Sequence, residues 1–168
     1  MSLLLITILL LTGASLQTLL PGPAVLRLNE WPVLLALILC ISLKCDRPRV
    51  LYAGLLAGLL NDSFCPAPLG VSIPFFILMA LGVYAIRDEV FGDQIITYAV
   101  LGLLGGLLQT LYFTIVFSSL GLRPVGAGAL TARLFGALLL GTLTTPLIFL
   151  LISALQSKRT RKLRWIDG

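Results

Sequence analysis

The stretch from Val50 to Gly70 reads VLYAGLLAGLLNDSFCPAPLG, and its spacing decides what kind of chain this is. Gly54, Gly58 and Asp62 recur every fourth residue, so they share one face of a helix, with Ala53, Ala57 and Asn61 on the adjoining row. Small residues at this spacing let a second backbone approach closely, which is the main route to helix association in lipid. An acid on that close-packed face must point into a bundle, a water-filled pocket or a partner, because a charge facing lipid is costly. The plainer role for Asp62 is a carboxylate that caps or orders the turn at Ser63-Phe64-Cys65-Pro66. The spacing leaves both roles open.

Composition agrees with the helix. Of 168 residues 58% are hydrophobic and 11% charged, against roughly 25% charged in a soluble domain. So few charges cannot cover a water-facing surface. The 12 Lys and Arg outnumber the 7 Asp and Glu, a balance that fits either nucleic acid or a membrane edge. The basic excess lies beside apolar runs, so the membrane edge is the reading taken and nucleic acid is not. Histidine is absent, which removes histidine acid–base catalysis, the serine triad and most zinc sites. No GxxxxGK[ST] phosphate loop occurs.

Working outward, the spacing predicts an all-α bundle of six transmembrane helices. Leu3–Leu20 ends at Pro21-Gly22-Pro23; without a basic residue ahead of it, it is read as a retained helix rather than a signal peptide. Pro32–Leu43 is short. Arg49–Cys65 is 17 residues, about 25 Å of helix. Leu69–Ile86, Ile95–Leu120 and Leu130–Leu155 complete the set. Residues 1–156 form one transmembrane domain and 157–168 a basic cytoplasmic tail. The inner loops then hold Lys44, Arg47, Arg49, Arg87, Lys158, Arg159, Arg161, Lys162 and Arg164, and the outer ones Arg27 and Arg123. That bias places both termini in the cytoplasm. The tail anchors topology and lies where it can meet anionic lipid.

The remaining polar residues are few. Cys45 at the inner side and Cys65 at the outer are a helix length apart, too far for a disulfide, and Cys40 and Cys45 face a reducing compartment in this topology, so no disulfide is expected. Cys45 is expected to react from inside and Cys65 from outside; no metal cluster is expected. Arg133 enters helix six at a depth similar to Asp62, and an Asp62–Arg133 ion pair would solve two desolvation problems together. The competing role for Arg133 is snorkelling to headgroups. Gly102 and Gly106 form a second small-residue pair, with Gln109 placed to hydrogen-bond across a helix contact. In helix six, Pro146 predicts a kink whose freed carbonyls are met by threonine hydroxyls. Asp88 and Asp93 lie a bilayer away from Asp62, so no carboxylate dyad forms. Neither catalysis nor a cofactor is expected.

One order of motifs carries a family resemblance. Pro21-Gly22-Pro23 is followed by a short helix ending in the basic cluster Lys44–Arg49. Then comes the G-L-L-x-D of Gly58, Leu59, Leu60 and Asp62, and Pro68-Leu69-Gly70. This resembles MreD, the small multipass rod-shape-determining membrane proteins of bacteria, most strongly over residues 21–90. Glu30-Trp31-Pro32 departs from the proline–acid order expected there. The resemblance implies a non-catalytic inner-membrane scaffold or regulator of cell elongation and peptidoglycan synthesis. It would bind the single-pass protein MreC and work with RodA, a class B penicillin-binding protein and MreB. A homodimer stays open. The family is similar in architecture to the substrate-binding subunits of energy-coupling-factor transporters. That makes capture of a vitamin-like small molecule the alternative, with Asp62, Arg133 and Gln109 facing the ligand.

Overall fold

A computed structural model describes residues 2–19, 31–64, 69–88, 95–121 and 127–164. Among these residues all regular structure is helical: α1 (Leu3–Leu19), α2 (Val33–Lys44), α3 (Arg47–Phe64), α4 (Ser72–Ile86), α5 (Ile95–Ser119) and α6 (Ala127–Arg164). The predicted sixth helix and basic tail are one element, because α6 runs unbroken through Pro146 and on through Lys158, Arg159, Arg161 and Lys162 to Arg164. The hydroxyls of Thr142, Thr144 and Thr145 donate to the carbonyls of Leu138, Leu140 and Gly141. Pro146 removes the donor for the Thr142 carbonyl, so the threonines do not fill the place foreseen for them. Arg27, Arg123, Cys65 and the Pro21-Gly22-Pro23 break lie outside the described residues.

The shortest helix is the centre of the bundle. α2 touches each of the other five, while α1, α3, α4, α5 and α6 follow one another around it, each in contact with the next. Every residue from Val33 to Ser42 is buried, none more than 6% exposed. A helix apolar on all sides has no solvent face to offer, and enclosure is its stable solution.

Glycine sets how closely the outer helices approach. A Cβ built on Gly58 would sit 2.5 Å from the Ile73 Cα, and one on Gly54 3.2 Å from both the Ile77 Cα and the Phe76 carbonyl oxygen. The Gly54/Gly58 face is therefore filled by α4. On α5, a Cβ on Gly102 would strike the Gly141 carbonyl and Thr145, and one on Gly106 would lie 2.8 Å from the Ala137 carbonyl oxygen. Gly102, Gly106 and Gly141 are the crossing point of α5 and α6. On α1, a Cβ on Gly13 would strike the side-chain end of Leu37 of α2 rather than its backbone.

With small residues inside, large apolar ones face out. Leu55 and Leu59 on α3, Leu78 on α4, Leu104 and Leu108 on α5, and Leu139, Leu143 and Leu147 on α6 are all exposed, Leu78 by 69%. Gln17, Ser42, Asn61, Asp62, Ser72, Thr144 and Thr145 are buried. Soluble monomers rarely expose contiguous apolar surface on this scale. Two stretches, Ile96–Ser119 and Arg133–Ser153, are long and apolar enough to cross a bilayer; α1, α2 and α4 are apolar but shorter.

The glycines separate packing from chance. Gly58→Ala is expected to lose about 1–3 kcal/mol by forcing α3 from α4. Gly82, whose Cβ would meet nothing within 4 Å, is expected to gain ~0.5–1 kcal/mol on replacement by alanine. Thermal unfolding of the two purified variants beside the parent chain checks both signs.

Candidate functional site

The polar residues of an apolar chain converge at one end of the bundle. α2 begins after Pro32 and α4 after Val71, and neither of these residues offers a capping side chain. Proline and valine cannot supply the oxygen that the first N–H groups of a helix require. Both needs are met by neighbouring helices. The Ser72 N–H donates to both oxygens of Asp62, at 3.1 and 3.2 Å, and the Gly70 N–H donates to Asp62 Oδ2 at 2.7 Å. The Leu34 N–H donates to Gln17 Oε1 at 3.2 Å. The last turn of α3 thus caps α4, and the last turn of α1 caps α2.

The two caps are joined. Gln17 Nε2 donates to Asn61 Oδ1 at 3.4 Å, and Asn61 Nδ2 donates to Ser72 Oγ at 2.8 Å. Four helices therefore share one buried layer of hydrogen bonds. Gly70 has φ +99°, which glycine adopts without strain, and this turns its N–H toward the carboxylate. The negative Asp62 also sits at the positive end of the α4 dipole. From α5, the Tyr112 hydroxyl donates to the Val71 carbonyl at 2.9 Å, and its ring lies 5.2 Å from that of Phe75.

At the opposite end, Arg87 after α4 donates from Nη1 to the Cys45 carbonyl at 2.9 Å and lies 4.3 Å over the Tyr84 ring. Lys44 Nζ is 4.8 Å from the Phe149 ring, which stacks on Tyr98. Arg49 pairs with Asp46 at 3.2 Å. Lys44, Arg47, Arg49 and Arg87 therefore gather where α2 ends, α3 begins and α4 ends.

Several expected partners are not brought together. Asp62 and Arg133 form no ion pair, because α3 and α6 share no contact and the carboxylate is already occupied by Gly70 and Ser72. Gln109 is half-buried, and its side chain makes no hydrogen bond among the described residues. Cys45 is 2% exposed, too enclosed for the labelling probe foreseen, and burial pushes its thiol up despite the nearby Arg49 and Lys44 charges. Among the described residues no group of three His, Cys, Asp or Glu is placed to hold a metal ion. Gln17 and Ser72 were missed by the sequence reading. The available signal was Gln17 itself, the one amide in the first apolar run, on the same face as Gly13 and Ala14.

No family model, curated protein or solved structure matches the chain.

The arrangement can organise helix entrances, and two measurements probe it. Asp62→Leu leaves the buried Ser72 N–H without an acceptor and takes the acceptor from the exposed Gly70 N–H; it is expected to cost about 1–3 kcal/mol, whereas Asp62→Asn keeps one acceptor and costs about half as much. Denaturation midpoints of the two variants give that order. Maleimide labelling of Cys45 at neutral pH is expected to be at least about tenfold slower than that of an exposed cysteine, since the thiolate is the reacting form. Equal rates would contradict its enclosure.

Proposed function

We propose that the chain is a non-catalytic multipass protein of the bacterial cytoplasmic membrane, a bundle of six transmembrane helices with cytoplasmic termini. In this reading it is a scaffold of the cell-elongation machinery that binds a single-pass partner of the MreC kind. The observation that carries the membrane part is the inverted surface: leucine faces outward on the peripheral helices while Asp62, Asn61, Gln17 and Ser72 are enclosed. The ordered motifs between Pro21 and Gly70 support the cell-elongation part.

The geometry changes where such a partner would lie. The Gly54/Gly58 and Gly102/Gly106 faces are filled by α4 and α6. The outward stripe Val100, Leu104, Leu108, Leu111 and Ile115 on α5 is exposed along its length. Its spacing of four, four, three and four is that of a helix–helix seam. A transmembrane partner helix of ordinary length can lie flush along it. The ligand-capture alternative gains nothing from Asp62, whose oxygens are held by backbone N–H groups.

Two experiments test this. Leu104→Ala with Leu108→Ala is expected to lower the yield of a co-purifying single-pass protein roughly tenfold, equivalent to about 1.4 kcal/mol, with the thermal midpoint unchanged. Depletion of the protein is expected to round the cells while uptake of vitamins continues. Rod-shaped cells with failed uptake would overturn the scaffold in favour of capture.

A further inference from the structure

This inference rests on the membrane reading and concerns Arg133, which has no counter-ion among the described residues. The seam between α5 and α6 sets its surroundings. Gly102 lies against Gly141, and Gly106 against the Ala137 carbonyl. The two helices therefore run antiparallel, and each step outward on α5 is a step back along α6. About one turn past Gly106 stands Gln109, and about one turn before Ala137 stands Arg133. The seam thus brings Gln109 and Arg133 to one height.

Both residues continue the core-facing rows of their helices. On α6, Arg133 precedes Ala137, Leu140 and Thr144 at steps of four, three and four, and those three are buried. Phe135, 68% exposed, lies two residues on and so nearly on the opposite side of the helix. On α5, Tyr98, Gly102, Gly105 and Gln109 repeat the same steps, and the first three are buried. Leu35 and Leu39 of α2 lie beside Gly105, so α2, which starts at Val33, begins at about the height of Gln109. Outward of that height α5 and α6 go on without it. Arg133 and Gln109 are only partly buried, and among the described residues neither side chain makes a hydrogen bond or ion pair. Arg49 and Arg87, at the other end of the bundle, have Asp46 and Asp88.

A cation on the inward row of a membrane helix is costly until an anion meets it. Arg133 opens the apolar span Arg133–Ser153, which sets it at the outer edge of the hydrocarbon, where the headgroup region begins. We propose that Arg133 and Gln109 form a binding site for a phosphate group, carried by a lipid of the outer leaflet. The guanidinium offers two parallel N–H donors to two phosphate oxygens, and the Gln109 amide can donate to a third. A lipid brings its phosphate to this height and holds it there; free phosphate is the other source of the same chemistry.

The purified full chain in neutral maltoside detergent tests this with dioctanoyl phosphatidylglycerol, dioctanoylglycerol and inorganic phosphate. Native mass spectrometry gives the affinity of the first lipid bound, and circular dichroism gives the thermal midpoint. Phosphatidylglycerol is expected to raise the parent midpoint by about 3 °C or more, and dioctanoylglycerol to leave it unchanged. Affinity is expected to fall about tenfold in Arg133→Gln and about threefold in Gln109→Leu, but under about twofold in Arg47→Gln at the opposite end. Without lipid, Arg133→Gln is expected to melt no lower than the parent, since it removes an unpaired cation. An equal loss of affinity in Arg47→Gln overturns the site, and so does an equal shift by dioctanoylglycerol. A lower lipid-free midpoint for Arg133→Gln overturns it too, because the arginine then ties the fold together. Millimolar inorganic phosphate is expected not to displace the lipid; displacement overturns lipid as the source. A chain that stays dispersed after the detergent is removed overturns the membrane reading itself.

Discussion

A helix that begins inside a packed, apolar bundle must find acceptors for its first N–H groups, and much of this structure answers that requirement. Pro32 and Val71 stand at two such beginnings without an oxygen to offer. Gln17 and Asp62 supply the oxygens from the ends of the preceding helices, and Asn61 and Ser72 link the two. Each of α1 to α4 is thereby fixed in height against its neighbours. A buried N–H left unpaired there would cost about 1–3 kcal/mol. The acid that stood out in sequence is thus engaged by backbone, and its worth is positional.

From that layer the packing descends through small residues. Gly58 lies one helical turn below Asp62 and admits the Ile73 backbone; Gly54 lies another turn below and admits Phe76 and Ile77. α3 and α4 are held together along one continuous seam that begins at the shared cap. α5 and α6 have a seam of their own at Gly102, Gly106 and Gly141. The two pairs are joined by α2, which touches every helix, and by the aromatic contacts of Phe75 with Tyr112 and Phe113.

The helical class was legible because apolar runs, prolines and glycines are local signals. So was the Gly54–Gly58–Asp62 face, since periodicity of four needs only one helix to be seen. The Asp62–Arg133 pairing failed because depth along an axis says nothing about which helices are neighbours, and α3 and α6 are not. Gln17 failed for the related reason that capping by another helix leaves no trace near the helix being capped. The sequence around Pro32 and Leu69 marks where two helices start, and nothing there names the oxygens that accept from their first N–H groups. The central place of α2 was read only as brevity, although a run with no polar face already implies enclosure on every side.

The position of α2 also has a temporal side. Synthesis lays down this twelve-residue helix second, before four of the five helices that will enclose it exist. A segment so short is a weak candidate for entering a bilayer unaided. In the membrane reading its retention depends on docking promptly with the one helix that precedes it, α1, through the Gly13–Leu37 contact and the Gln17 bond. Biogenesis then becomes a matter of order. A chain stalled after α2 holds a core without a shell, and each helix added afterwards is templated on it.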